Sequence, residues 1–392
     1  MPNPKIGFVL IGGFKRLAAH VGALYRYKSE EDAGKIAQPE FAIGSSAGAI
    51  AAVSCFSPWH YKNIESVGNI VIELTKDQIW GYYFWMESAG VLTVVEDFIL
   101  PFLPEGSTKT KRIIFKASKS GLSLSTKVLL AYELLEKPSL FSNKPLYRLL
   151  KNNMSKNGGF EFFWKSGEEG PGQIKLEVPA VDLATANEWI FTNYLSEHRN
   201  LPGRDEFLIK AILASASVPA SFPTQKIGNL VLDDAALRIN APLHRAVAAG
   251  CDIIFVFLHT PFHEKAAPPE TWIEELGRAL EITISESTRK TVEGHQETNW
   301  NLEVFENIQK LLDEMDEKSL LKEQIEKEMK NYTFYGRKKT ILIPVVADER
   351  LPDIFVGKFK RENMKRGMEI GYGAMDKALK TFYKTKPDKT GF

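Results

Sequence analysis

Phe41-Ala42-Ile43-Gly44-Ser45-Ser46-Ala47-Gly48-Ala49-Ile50 carries the chain from a short apolar strand into an apolar helix through one tight turn. The turn has the pattern Gly-x-Ser-x-Gly, with Ser46 at its centre and Gly44 and Gly48 two residues to either side. A serine presented on such a turn sits in a strained backbone conformation, and its flanking positions must be nearly free of side chain for strand and helix to approach. The helix that begins beside Ser46 also points its first N–H groups towards the space where an oxyanion would form. Taken alone, the pentapeptide equally describes a plain strand-to-helix turn with a serine N-cap.

Upstream, residues 6–11 form an apolar strand that ends in Gly12-Gly13-Phe14-Lys15-Arg16, followed by a helix carrying Leu17, Val21, Leu24 and Tyr25. Paired glycines allow close backbone approach to a ligand, and successive N–H groups in such a turn can hold an anion. Neither nucleotide-loop pattern, G-x-x-x-x-G-K-[ST] or G-x-G-x-x-G, is present, so the turn is not read as a nucleotide site. Downstream, strands are expected over 160–164, 174–181, 189–192, 230–232, 253–258 and 340–345. Helices are expected over 206–215, 243–249 and 363–383. This alternation predicts an α/β fold with a mainly parallel sheet flanked by helices. Residues 58–157 read as a helical insertion or cap, 265–335 as a charged helical region with Leu311, Leu312, Met315, Leu320 and Leu321 as its apolar face, and 384–392 as a basic tail. With no convincing linker or repeat, the expectation is a single domain over 1–392.

Fifty basic and forty-nine acidic residues leave a net charge of +1, which gives no global attraction to nucleic acid or to an anionic membrane. Two cysteines, Cys55 and Cys251, lie in apolar stretches and suit reduced core thiols rather than a disulfide scaffold. No signal-peptide pattern or membrane-spanning run is seen, so a cytoplasmic protein with at most peripheral membrane contact is expected. The aromatic run over 80–86 fits an acyl channel, a membrane contact or plain core, and Lys109, Lys111, Arg112, Lys116 and Lys119 fit a lipid phosphate contact or a solvated face. No metal-ligand spacing and no cofactor motif is found.

A nucleophilic serine needs a base. His259 and His263 follow a late strand, as the Ser-Asp-His order requires. Against them stands Val231-Leu232-Asp233-Asp234-Ala235-Ala236-Leu237-Arg238-Ile239-Asn240-Ala241-Pro242, where a strand runs into two carboxylates at a carboxyl edge of the sheet. Both aspartates also suit an ordinary turn.

In order, these segments resemble the patatin-like phospholipase family. Gly12, Gly13 and Arg16 match its glycine-rich turn, His20 and Gly22 the helix after it, Gly44, Ser46 and Gly48 its elbow, and Asp234, Asn240 and Pro242 its aspartate segment. Residues 214–223 and Val181-Asp182-Leu183 look like its small-residue segment and its mid-chain strand end. The resemblance implies a three-layer fold with a Ser46–Asp234 dyad, an oxyanion hole from the N–H groups of Gly12, Gly13 and Phe14, and hydrolysis of lipid or other acyl esters without a cofactor. It departs from the pattern at Phe14, Leu17, Ala235 and Ala236, where the family has glycine or near-glycine residues. A non-catalytic lipid-binding or scaffold protein, an acyltransferase and a Ser-Asp-His esterase remain as alternative readings of the same residues.

Overall fold

The computed structural model describes residues 4–13, 16–57, 61–79, 139, 141–168, 172–219, 221–258, 272–315, 320–331, 338–349, 351 and 360–385. Eight strands among them form one sheet: β1 (Ile6–Leu10), β2 (Phe41–Gly44), β3 (Lys175–Asp182), β4 (Glu188–Thr192), β5 (Gln225–Ile227), β6 (Leu230–Asp233), β7 (Ile253–Phe257) and β8 (Ile341–Val345). Their order is β5-β6-β3-β2-β1-β7-β8, with β4 on β3. The pairs β1–β2, β2–β3, β1–β7 and β7–β8 are parallel, and the antiparallel pairs β3–β4, β3–β6 and β5–β6 extend the far side. The helices are α1 (Leu17–Asp32), α2 (Ala47–Phe56), α3 (Ile64–Ile72), α4 (Lys76–Ile79), α5 (Lys144–Ser155), α6 (Gly159–Ser166), α7 (Ser196–Arg199), α8 (Arg204–Ser215), α9 (Leu243–Ala248), α10 (Trp272–Asp313), α11 (Leu320–Lys330) and α12 (Arg361–Thr385).

Alternation along β1 explains the layers. Ile6, Phe8 and Leu10 share one core with residues of α1, α2 and α12, whereas Val9 joins a second core with Leu243 and Ala246 of α9 and Val292 of α10. Successive strand side chains point to opposite faces, so a strand apolar throughout its length must be covered on both. Helix α12 lies so close to α1 that a Cβ on Gly22 would come 2.0 Å from the Met368 carbonyl oxygen, and one on Gly371 2.0 Å from that of Ala19. At the rim of this contact Arg26 bridges to Asp376 at 2.9 Å and Tyr383 donates to Glu30 at 3.0 Å.

The α/β alternation is present, with three local differences. Residues 160–164, expected as a strand, lie in helix α6, where Phe163 and Trp164 are buried and Phe162 is 37% exposed. So short an apolar run satisfies either periodicity, and one face of a helical turn can bury two adjacent aromatics. Strand β5 was not expected, since three residues of Gln-Lys-Ile give no pattern to read. The apolar face proposed over 311–321 does not form: Leu312 is buried, while Leu311, Leu320 and Leu321 are exposed. Helix α10 ends at Asp313 and α11 starts at Leu320, which breaks the helical spacing on which such a face depends.

Cys55 and Cys251 are both buried free thiols, and burial pushes the Cys251 thiol up to about 12. No helix among the described residues is long and apolar enough to cross a membrane.

Candidate active site

Leu10 of β1 is in register with both Gly44 of β2 and Phe257 of β7, so the glycine turn after β1 and the serine turn after β2 emerge side by side at the carboxyl edge of the sheet. Ser46 has φ 55° and ψ −122°, a left-handed backbone that a non-glycine residue holds only under strain of about 1–3 kcal/mol. The surroundings enforce it. A Cβ on Gly44 would lie 2.1 Å from the Gly48 carbonyl oxygen, and one on Gly48 2.3 Å from that of Leu10, so only glycines permit this crossing of strand and helix. Ser45 adds two tethers, its N–H donating to Leu10 at 3.0 Å and its hydroxyl to Ile239 at 2.9 Å. The Ser46 N–H donates to the hydroxyl of Ser215, a fully buried residue at the end of α8, at 3.1 Å.

The Ser46 hydroxyl lies near enough to the Asp234 carboxyl to favour its ionised form. Asp234 stands immediately after β6 and is 3% exposed, and its Oδ1 accepts from the Ala236 N–H at 2.8 Å. Burial raises its pKa to about 7, against the opposing pull of the Ala236 N–H and the Ser46 hydroxyl and with a further push from the charge of Asp233. Asp233 is also buried, with an Oδ1 that has no hydrogen-bond partner, and desolvation lifts it to about 6.

The glycine turn is clamped around Gly12. Its N–H donates to Asn240 Oδ1 at 2.8 Å, and its carbonyl accepts from Arg16 Nη1 at 2.5 Å. The Gly12 N–H, expected as an oxyanion donor, is engaged by Asn240 in this structure. Its part is steric, because a Cβ there would meet the Ser46 Cβ at 2.9 Å. Gly13 has φ +113°, and the Arg16 N–H closes the turn onto the Gly13 carbonyl at 2.8 Å. Phe14 lies outside the described residues, as do His259, His263, the aromatic run over 80–86 and the five basic residues between 109 and 119.

His20 is fully buried with Nε2 2.9 Å from the Ile11 carbonyl oxygen, and burial lowers its pKa to about 3. It is a neutral packing residue beneath the turn. His198 lies on Thr192, His244 on Glu188 and His295 on the Thr340 carbonyl. Among the described residues no three His, Cys, Asp or Glu side chains converge as metal ligands.

Beside the turn lies an apolar cavity of about 60 Å³ between α1, α2, α3, α4 and α5. Leu17, the first residue of α1, and Ile50, one helical turn beyond Ser46, line its wall together with Val67, Leu74, Leu146 and Met154. Sequence reading left Ser215, Asn240 and Asp233 without roles at the site. The first carried a signal, a hydroxyl alternating with alanines where a buried helix end meets the elbow.

A sequence model described as patatin-like phospholipase matches residues 8–247. No curated protein sequence matches the chain. Among solved structures the chain is similar to VipD from Legionella pneumophila at 13% identity and a TM-score of 0.39, over 97% of this chain and 67% of that one. It is similar to the type III effector protein ExoU at 13% identity and a TM-score of 0.32, over 96% of this chain and 53% of that one. Full-length ExoU with full-length SpcU from Pseudomonas aeruginosa gives 14% identity and a TM-score of 0.25, over 74% of this chain and 53% of that one. The chain thus spans about half the length of ExoU.

Proposed function

Since the chain belongs to the patatin-like phospholipase family, we propose that it is a serine acyl hydrolase of lipid esters, with Ser46 as the nucleophile and Asp234 as its base. The observation that carries this reading is a buried serine on a strained elbow, with its hydroxyl near enough to the buried Asp234 carboxyl to favour the ionised form. A carboxylate of ordinary pKa, about 3.9, is a poor base for a serine. Burial lifts Asp234 to about 7, which strengthens it as a base while a large fraction stays ionised near neutral pH.

In the proposed cycle Asp234 takes the Ser46 proton as Oγ attacks the ester carbonyl carbon. The tetrahedral oxyanion is received by the N–H groups of Gly13 and Phe14, assigned from the family resemblance without Gly12. Collapse breaks the bond to the leaving alcohol, which takes the proton from Asp234, and an acyl-serine remains. Water then gives a proton to Asp234 and attacks the acyl carbon. Collapse of this second intermediate frees the carboxylic acid, and Ser46 regains its proton.

An active-site fluorophosphonate with mass-spectrometric mapping tests the reading. Labelling at Ser46, together with turnover of a medium-chain acyl ester that is lost in folded Ser46→Ala and Asp234→Asn proteins, is the expected result. A folded protein that binds lipid vesicles but neither labels nor turns over would overturn it in favour of a non-catalytic lipid-binding role.

A further inference from the structure

Gly12 is held from a distance. Its N–H donates to Asn240 Oδ1 at 2.8 Å, Asn240 Nδ2 donates to Thr288 Oγ1 at 2.8 Å, and the Thr288 hydroxyl donates to the Ile284 carbonyl at 2.8 Å. Asn240 is 2% exposed and Thr288 1%. The directions are mutually determined. A backbone N–H can only donate, so the Asn240 oxygen must face Gly12, its NH₂ must face Thr288, and the threonine proton is left for its own helix. Each link thus has a single arrangement, and Thr288 is anchored within α10, a helix of 42 residues.

The next peptide is held as well, since Arg16 Nη1 donates to the Gly12 carbonyl at 2.5 Å. The Gly12 carbonyl and the Gly13 N–H lie in one rigid peptide plane, so holding Gly12 at its N–H and its carbonyl fixes the direction of the Gly13 N–H. A Cβ at Gly12 would also touch Ser46, so the pinned residue lies directly against the nucleophile.

We infer that Asn240 and Thr288 form a buried strut by which helix α10 sets the glycine turn for transition-state stabilisation without touching the substrate. Both are positioning residues. The inference rests on the dyad reading for its catalytic consequence and on the hydrogen-bond geometry alone for the strut itself. Oxyanion donors act by being fixed where charge develops, so a turn free to rotate loses catalysis before it loses substrate affinity.

The experiment compares wild type, Thr288→Val, Thr288→Ser and Asn240→Leu. It measures kcat per fluorophosphonate-titrated site, KM for one acyl ester, thermal melting, and hydrogen exchange of the Gly12 amide within the 8–17 segment. Thr288→Val, which keeps the shape and removes the hydroxyl, is expected to lower kcat per titrated site about tenfold with KM within twofold. Gly12 exchange is expected to accelerate at least tenfold. Thr288→Ser should return both to within threefold of wild type, and Asn240→Leu should match or exceed the valine variant. Wild-type kcat per site and wild-type Gly12 exchange in Thr288→Val would overturn the inference, and so would a lowered melting temperature with both unchanged. A wild type that neither labels nor turns over would sink the dyad reading and the positioning role with it. In that event Gly12 exchange still decides whether the strut exists.

Discussion

Residues 8–247 hold the elbow, the glycine turn and both aspartates, whereas the described residues after them hold no part of the proposed dyad yet supply β7, β8, α10 and α12 around it. Strand β1, which delivers the glycine turn, is paired on one side by β2 and on the other by β7. Helix α1, which follows that turn, packs against α12 closely enough to exclude a Cβ at Gly22 or Gly371. Even the Gly12 amide is tied through Asn240 to a threonine of α10. Motif and scaffold divide differently along this chain: the chemistry ends before the core does.

The sharpest break of that division lies in the dyad itself. Ser46→Ala and Asp234→Asn are each expected to reduce kcat/KM by at least about 10³-fold, yet to differ in stability. The folded Asp234 carboxyl binds its proton more tightly than the unfolded chain, at about 7 against an ordinary 3.8. Its contribution is therefore fully present below pH 4 and is lost as pH rises through 7. Asp234→Asn has no such charge to bury and should exceed wild type by on the order of 3 kcal/mol at pH 8, with the gap closing by pH 4, as read by denaturant unfolding at both values.

On the scaffold side, Gly371→Val drives side-chain atoms into the Ala19 carbonyl and should cost at least about 3 kcal/mol. Activity surviving at wild-type stability would mean that α12 is an accessory and the division false. Ser215→Ala leaves the Ser46 N–H without its partner in a buried site and should destabilise by roughly 1–3 kcal/mol, with kcat falling more than KM rises. The smallest effect sharpens the electrostatics: kcat/KM should fall as pH drops through about 7, where Asp234 takes up its proton. Asp233→Asn removes the like charge that helps to raise Asp234, and should move that acidic limb to lower pH by several tenths, as a pH–rate profile would show.

The elbow was legible because its geometry demands particular residue types at fixed spacing, and nothing but glycine fits at 44 and 48. Asp234 was separable from Asp233 only by its distance from Pro242 in the family pattern. In three dimensions the two carboxyls differ, one bonded to the Ala236 N–H and near the Ser46 hydroxyl and the other left with an unpaired oxygen. The glycine turn was read as three equivalent donors, whereas the Gly12 N–H is engaged by a side chain 228 residues away. Thr288 carried no signal at all: one threonine in a long charged helix looks like surface, and only packing turns it inward. Helix α6 was mistaken for a strand because a short aromatic run fits both periods.

The packing of α12 on α1 also governs how the chain is made. A ribosome adds about 5–20 residues per second, so Asp32 and Arg361, the facing ends of these two helices in sequence, are separated by roughly 15–65 s of synthesis. Throughout that interval the nascent protein carries the apolar and glycine-lined face of its first helix without this partner, and until residue 253 is reached it also carries β1 without β7. That face of α1 therefore stays uncovered through most of this stretch of synthesis, open to non-native apolar contacts.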